Sequence, residues 1–219
     1  MKFSREEIRQ AMLLYGITDR TWLKPGESLS DVCREILEHG VTFLQIREKN
    51  LAQEAFLEEA RELKDLCAQF HVPFVVNDSV EIAVQSGADG VHVGQSDIKG
   101  RNIREMIGPE RILGISAGTM EEAMKAEQAG ADYIGVGAVF GTSTKKDARN
   151  LSVEKLREIS ASVSIPVVAI GGINRGNVRE LLGSGVDGIA VISALFGAEQ
   201  PGKAAAELTV LAKEITDCE

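Results

Sequence analysis

Residues 86–93 read SGADGVHV, and two related stretches follow later in the chain. This recurring pattern is the strongest indication of the fold. Residues 129–136 read AGADYIGV, and residues 184–191 read SGVDGIAV. The glycine in each copy suits the left-handed cap that ends a helix, and the apolar run after the aspartate is typical of a buried strand. We therefore predict three helix–strand junctions, with Asp89, Asp132 and Asp187 in structural rather than catalytic roles.

Outward from these stretches, short apolar runs alternate with amphipathic helical patterns. The predicted strands are 13–17, 41–45, 73–76, 90–93, 112–115, 133–136, 167–170 and 188–191. The predicted helices, one after each strand, are 29–39, 53–70, 80–85, 103–107, 120–129, 153–159, 178–182 and 204–215. Continuously apolar strands alternating with helices indicate a covered parallel sheet, and eight such units predict an α/β fold, a (β/α)8 TIM barrel. A doubly wound open sheet is the alternative, but it rarely needs eight units.

Length and composition exclude several classes of protein. The 219 residues carry a formal net charge of −9, which argues against a nucleic-acid surface. No apolar run reaches the roughly 18 residues of a membrane helix, and the N-terminus lacks the apolar core of a signal peptide. Three cysteines without a C-x-x-C pair fit a reducing compartment. We expect one cytoplasmic domain over residues 1–219, with residues 1–12 as an N-terminal helical extension.

Polar and charged residues follow every predicted strand, at the end of a barrel where catalytic groups lie. Residues 45–49 read QIREK, and side chains alternate along a strand, so Gln45, Arg47 and Lys49 should point to one side. A guanidinium fork beside an ammonium group is suited to phosphate oxygens. We interpret this segment as an anion clamp. A solvated charged loop is the alternative.

Two aspartates follow neighbouring strands: Asp78, next to Asn77, and Asp97. Mg²⁺ takes few protein carboxylates together with phosphate oxygens of a substrate, so the pair beside an anion clamp predicts a magnesium–diphosphate site. Two other roles remain open for these residues. Either aspartate alone is explained by capping of the next helix, and the pair would also serve as a general acid and base.

Two glycines, Gly171 and Gly172, follow the seventh strand, and Ile192 and Ser193 follow the eighth. Barrels commonly bind a phosphate group there through backbone N–H groups, which predicts a second phosphate site. Residues 142–145 offer three hydroxyls and an ammonium group, and we interpret them as a mobile loop that closes over anions. His92 lies within a strand and is interpreted as a structural barrel residue.

The strand-end motifs, in their order along the chain, resemble those of the thiamine-phosphate synthase family. The matching segments are 15–19 (YGITD), 45–49 (QIREK), 77–78 (ND), 90–97 (GVHVGQSD), 114–116 (GIS), 137–147, 169–173 (AIGGI) and 192–193 (IS). Together they span roughly residues 13–196. The resemblance implies a Mg²⁺-dependent transferase that joins a hydroxymethylpyrimidine diphosphate to a thiazole phosphate and releases pyrophosphate.

The resemblance also implies a role for each matching residue. Those for the pyrimidine diphosphate would be Gln45, Arg47, Lys49, Asn77, Ser116 and Lys145. Those for the thiazole phosphate would be Thr142, Thr144, Gly172, Ile192 and Ser193. Asp78 and Asp97 would hold Mg²⁺, and the catalytic contributions would come from Arg47, Lys49, Ser116 and Lys145. The partners would be small-molecule substrates, with no nucleic acid and no membrane; homo-oligomers stay open because barrels expose helices.

Gly118 departs from the family pattern, because many relatives carry a histidine two residues after the serine of the GIS motif. The related thiazole tautomerases use that histidine to transfer protons, which glycine cannot do. The departure favours the synthase over a tautomerase. Two further alternatives are another barrel isomerase, which would need a dedicated acid/base pair, and a non-catalytic regulator that binds thiamine phosphate.

Overall fold

Eight parallel strands close into a barrel in chain order, and the last strand pairs with the first. The computed structural model describes residues 3–98, 100–141 and 151–216. The strands are β1 (Leu14–Ile17), β2 (Phe43–Ile46), β3 (Phe74–Asn77), β4 (Gly90–Val93), β5 (Ile112–Ala117), β6 (Tyr133–Gly137), β7 (Val167–Ile170) and β8 (Gly188–Val191). The predicted TIM barrel is confirmed, and the open-sheet alternative is wrong.

The helices largely follow the predicted pattern. They are α1 (Arg5–Ala11), α2 (Leu29–Glu38), α3 (Gln53–Gln69), α4 (Val80–Ser86), α5 (Ile103–Ile107), α6 (Met120–Gln128), α7 (Val153–Ala161), α8 (Ser193–Phe196) and α9 (Pro201–Thr216). Two short 3-10 turns cover Arg20–Trp22 and Val178–Leu181. The second occupies the place of the helix predicted over 178–182, and Gly183, with φ +70°, follows it. Among the described residues, no helix combines the length and the apolar character needed to cross a membrane.

Side-chain caps explain why several helices begin where they do. Ser4 and Glu7 form a reciprocal capping box at the start of α1. Hydroxyl side chains accept a backbone N–H at the starts of α2, α4, α6 and α7, namely Ser28, Ser79, Thr119 and Ser152. Each cap satisfies a helix N–H group that has no partner within the helix, so the helix boundaries are encoded locally.

At the N-terminal end of the barrel, the residue just before each even-numbered strand has a polar side chain. It accepts a backbone N–H from the start of the preceding odd-numbered strand, from the first residue of β1, β3 and β7 and from the second residue of β5. The acceptor–donor pairs are Thr42–Leu14 (2.9 Å), Asp89–Phe74 (3.0 Å), Asp132–Leu113 (2.8 Å) and Asp187–Val167 (2.7 Å). Asp132 also forms an ion pair with Arg104, and Asp187 with Arg9. The structural role predicted for Asp89, Asp132 and Asp187 is therefore confirmed.

The N-terminal helix α1 closes the same end of the barrel. Ile8 and Met12 are fully buried and pack with Phe43 and Tyr15 in the barrel interior. A second, larger group of buried residues lies between the strands and the surrounding helices. The barrel therefore has an inner and an outer apolar layer, and α1 belongs to the inner one.

Candidate active site

A cavity of about 710 Å³ opens at the carboxyl ends of the strands. This volume lies within the range of small-molecule sites. Ten of the residues predicted for the site line it: Gln45, Arg47, Lys49, Asn77, Asp78, Asp97, Ser116, Gly172, Ile192 and Ser193. Thr142, Thr144 and Lys145, with the loop that contains them, lie outside the described residues. Predicted residues from six different strand ends therefore surround one space.

The predicted alternation along residues 45–49 is present. Gln45, Arg47 and Lys49 line the cavity, whereas Glu48 turns away and accepts a hydrogen bond from Arg20 Nε at 2.8 Å. The backbone is fixed by the buried Thr18, whose Oγ1 accepts the Arg47 N–H at 2.9 Å. Arg47 is partly buried and Lys49 is exposed, and both line the cavity, which is the placement that the anion clamp requires.

Arg20 holds the outer side of the clamp. Its guanidinium bridges Glu48 and Glu59, with N–O distances of 2.8 and 2.6 Å. Burial raises the pKa of the Glu48 carboxyl, while the hydrogen bond from Arg20 opposes that shift. Glu48 is paired with Arg20, so its carboxylate is not the ion-pair partner of Arg47 or Lys49. Arg47 and Lys49 both line the cavity. Neither of those two cations forms an ion pair with another described residue.

The two aspartates do not cap helices, so the capping alternative is wrong. Ser79 caps α4 and Asn102 caps α5. Asp97 Oδ2 accepts the Gly94 N–H at 2.9 Å, and Asp78 Oδ2 accepts Asn77 Nδ2–H at 2.6 Å. Asp78 has a φ of +61°, a conformation that is uncommon outside glycine and often found at functional sites.

Asp78 and Asp97 are chemically suited to a hard cation. No group of three or more His, Cys, Asp and Glu side chains able to hold a metal occurs in residues 3–98, 100–141 and 151–216. Mg²⁺ is usually held by one or two carboxylates together with water and phosphate oxygens. Two carboxylates that share a cavity with Arg47 and Lys49 therefore fit a metal that is bound along with a diphosphate.

The ends of β7 and β8 lie together on another wall of the cavity. Gly172 has a φ of +66°, and a Cβ there would lie 2.1 Å from the Gly141 carbonyl oxygen. The glycine is therefore required by this close backbone approach. After β8 the chain enters the short helix α8 at Ser193, and no side chain caps its first N–H groups. This is the arrangement of backbone at which barrels often bind phosphate.

A chain of polar side chains, which the sequence reasoning did not find, crosses the barrel beneath the cavity. Gln45 Nε2 donates to the Tyr15 hydroxyl at 2.5 Å. The Tyr15 hydroxyl lies 2.8 Å from the Tyr133 hydroxyl. His92 Nδ1 lies 3.0 Å from the Tyr133 hydroxyl, and His92 Nε2 lies 3.0 Å from Ser116 Oγ. His92 is a barrel residue, as predicted, and it also lines the cavity. The alternation of residues 90–93 could have indicated that its side chain points inward.

Comparisons with known proteins assign the chain to a family. Residues 14–195 match the sequence model of the family described as thiamine monophosphate synthase. The chain belongs to the thiamine monophosphate synthase family.

Several members of this family resemble the chain over nearly its whole length. Thiamine-phosphate synthase of Clostridium tetani (strain Massachusetts / E88) is 47% identical over 90% of this chain and 93% of its own length. That of Desulfitobacterium hafniense (strain DSM 10664 / DCB-2) is 46% identical over 90% and 96%. The solved structure of thiamine phosphate pyrophosphorylase from Pyrococcus furiosus is 44% identical, with a TM-score of 0.87 over 95% of this chain and 98% of that one. The predicted function, a transferase of the thiamine-phosphate synthase type, is confirmed.

Gly118, the position at which the sequence analysis noted a departure from the family pattern, lines the cavity next to a carboxylate. Its N–H donates to Glu122 Oε2 at 2.7 Å, and a Cβ at this position would lie 3.5 Å from the same oxygen. No backbone atom of a described residue beyond the two chain neighbours lies within 4 Å of that Cβ position. The wall carries the carboxylate of Glu122 instead, a residue that the sequence analysis did not single out.

Proposed function

We propose that the chain condenses 4-amino-2-methyl-5-hydroxymethylpyrimidine diphosphate with a thiazole phosphate, forming thiamine phosphate and pyrophosphate in a Mg²⁺-dependent reaction. One observation carries this proposal: the cations Arg47 and Lys49 and the carboxylates Asp78 and Asp97 line the same cavity. That combination of charges suits a metal-bound diphosphate better than a single phosphate or a neutral substrate.

The diphosphate is the leaving group, and the clamp acts on it. As the carbon–oxygen bond breaks, negative charge develops on pyrophosphate, and fixed cations stabilise that charge without reorganisation. Arg47 is held for this by its N–H contact with Thr18, at 2.9 Å. Mg²⁺ bound by Asp78 and Asp97 would supply further neutralisation of the same oxygens. From the family resemblance we add Lys145 to this group.

Among the residues that the resemblance implies for the pyrimidine diphosphate, we assign Gln45, Asn77 and Ser116 to the pyrimidine ring. Gln45 is 2% exposed and Ser116 lies near the end of β5, so both face the deep part of the cavity. An electron-rich aminopyrimidine stabilises the methylene cation that remains when pyrophosphate leaves. The reaction then needs no enzyme nucleophile, and the thiazole nitrogen forms the new bond to carbon.

The thiazole phosphate is assigned to the wall formed by the ends of β7 and β8. Gly172, Ile192 and Ser193 line the cavity there, and backbone N–H groups near the start of α8 suit a phosphate. Thr142 and Thr144 complete this subsite by resemblance. We further propose a cytoplasmic location, supported by the buried cysteine thiols Cys33 and Cys67, which suit a reducing compartment.

Turnover with both substrates tests the proposal. The purified chain should release pyrophosphate and form thiamine phosphate, lose activity when Mg²⁺ is chelated, and regain it when Mg²⁺ is restored. Asp97→Ala should lower kcat/KM by about 100-fold or more at a Mg²⁺ concentration that saturates the wild type. Asp65→Ala is the matched control, because this carboxylate is 72% exposed and pairs with Lys64 on α3.

The outcomes separate the parts of the proposal. No thiamine phosphate above background from the wild type would refute the function. Activity that persists in chelator, or an Asp97→Ala variant with the Mg²⁺ titration of Asp65→Ala, would refute the metal assignment alone.

A further inference from the structure

The polar chain across the barrel connects two of the proposed pyrimidine-binding residues. Its hydrogen bonds run from Gln45 through Tyr15, Tyr133 and His92 to Ser116, with each step between 2.5 and 3.0 Å. The two tyrosines in it are the only ones in the sequence, and both are almost completely buried. The chain therefore joins the two sides of the cavity floor through two buried tyrosines and through His92, which is partly exposed and lines the cavity.

With Gln45 Nε2 as the donor of the first hydrogen bond and each tyrosine proton used within the chain, one direction satisfies every member. Gln45 Nε2 is a donor, so the Tyr15 oxygen accepts there and the Tyr15 proton points to the Tyr133 oxygen. The Tyr133 proton then points to His92 Nδ1, which must be the unprotonated ring nitrogen. His92 consequently carries its proton on Nε2 and donates it to Ser116 Oγ. The hydroxyl proton of Ser116 is left for an acceptor in the cavity.

The fold makes room for this chain with a glycine. A Cβ at Gly114 would lie 2.3 Å from the Tyr133 hydroxyl oxygen and 2.5 Å from His92 Nδ1. Any side chain at this position on β5 would therefore occupy the space of the bond between Tyr133 and His92. Burial also raises the pKa of both tyrosines, so each hydroxyl keeps the proton that the chain requires.

We propose that Tyr15, Tyr133 and His92 are positioning residues, which orient Ser116 as a hydrogen-bond donor to the substrate and leave the amide oxygen of Gln45 as an acceptor. The ligand matched by this pair is a heteroaromatic ring that has both a donor group and an acceptor atom, as an aminopyrimidine has. The inference rests on the proposed function, because it concerns how that site recognises its pyrimidine substrate.

The tautomer of His92 tests the direction of the chain without any substrate. The ¹⁵N chemical shifts of the ring distinguish a protonated from an unprotonated nitrogen. We expect the Nε2-protonated tautomer in the wild type and a mixture of tautomers in Tyr133→Phe, which removes the donor to Nδ1. A wild-type ring protonated on Nδ1 would overturn the proposal, because the chain would then run the other way and Ser116 would donate to His92.

Binding tests the positioning role. Tyr133→Phe should weaken the affinity for the pyrimidine diphosphate about tenfold in calorimetry, while the KM for thiazole phosphate changes by less than about twofold. Ser184→Ala is the matched control: it also removes a fully buried hydroxyl, one with no hydrogen-bond partner among the described residues. Unchanged pyrimidine affinity in Tyr133→Phe, or equal losses for both substrates, would overturn the proposal.

A second variant and the behaviour of the wild type keep the positioning role testable separately from the proposed function. If Tyr133→Phe does not fold, Tyr15→Phe interrupts the chain one bond earlier and should give the same pattern of losses. A wild type that binds neither substrate would refute the proposed function, whereas an active wild type with the wrong tautomer would refute only the positioning role.

Discussion

Raising the pH above about 10 should destabilise the protein through Tyr15 and Tyr133, which are its only tyrosines. Both side chains are nearly fully buried, and desolvation is the main cause that raises the pKa of each above the ordinary value of 10.0. The native state therefore keeps two protons that the unfolded chain loses at alkaline pH. Because the unfolded state then binds fewer protons, the free energy of unfolding must fall as the pH rises.

The magnitude follows from the number of protons. Each tyrosine contributes about 1.4 kcal/mol per pH unit well above its unfolded pKa, so the pair contributes about 2.7 kcal/mol per unit. Integrated from pH 10 to pH 11, where the unfolded tyrosines are only partly ionised, the loss from this pair is about 2 kcal/mol. This is a large share of the roughly 5–15 kcal/mol that stabilises a typical domain.

The assay combines urea unfolding at several alkaline pH values with the ultraviolet absorbance of tyrosinate. We expect tyrosinate absorbance to develop only together with loss of the far-ultraviolet circular dichroism. In Tyr133→Phe, the part of the pH dependence that comes from tyrosine should fall by about half. Tyrosinate absorbance that rises near pH 10 while the circular dichroism stays native would refute the reasoning, because it would mean that at least one hydroxyl ionises in the folded state.

Three further predictions concern the clamp, the barrel floor and the packing around the polar chain. Arg47→Ala should raise the KM for pyrimidine diphosphate about tenfold or more and change the KM for thiazole phosphate by less than about twofold. Equal effects on both KM values in steady-state kinetics would contradict two separate subsites. Ile8→Ala should lower the free energy of unfolding by about 2–5 kcal/mol in urea, and a loss below about 1 kcal/mol would show that α1 does not close the barrel. Gly114→Ala should lower stability by about 1–3 kcal/mol, since the new Cβ would lie 2.2 Å from the ring of Tyr133, and a thermal midpoint equal to the wild type would exclude that clash.

Much of the fold could be predicted because its signals are local. The glycines at 87, 130 and 185 adopt positive φ, as the helix–strand junctions required, and Asp89 accepts the first N–H of β3. The strand-end residues were predicted because parallel strands bring their carboxyl ends to one face whatever their distance in sequence. Period-two alternation then separated Arg47 from Glu48 correctly.

The parts that could not be predicted depend on distant contacts. The hydroxyls of Tyr15 and Tyr133 meet across the barrel although the residues are 118 positions apart in the chain. No local pattern contains that pairing, so the polar chain was visible only in the structure. Helix 178–182 was predicted from apolar spacing, which does not distinguish an α-helix from the 3-10 turn that Val178–Leu181 forms. The capping role considered for Asp78 failed because Ser79, one residue later, takes it.

The pairing of β1 with β8 has a consequence for how the protein is made. Leu14 lies beside Ile189 in the closed barrel, so β1 has no partner on this side until β8 has left the ribosome. Throughout most of synthesis the nascent chain therefore presents an apolar strand edge that is able to pair with other chains. Pairing of β1 with β8 is therefore the folding step that competes with aggregation of the nascent chain. Slower translation before β8 should lower the yield of native protein more than slower translation after it.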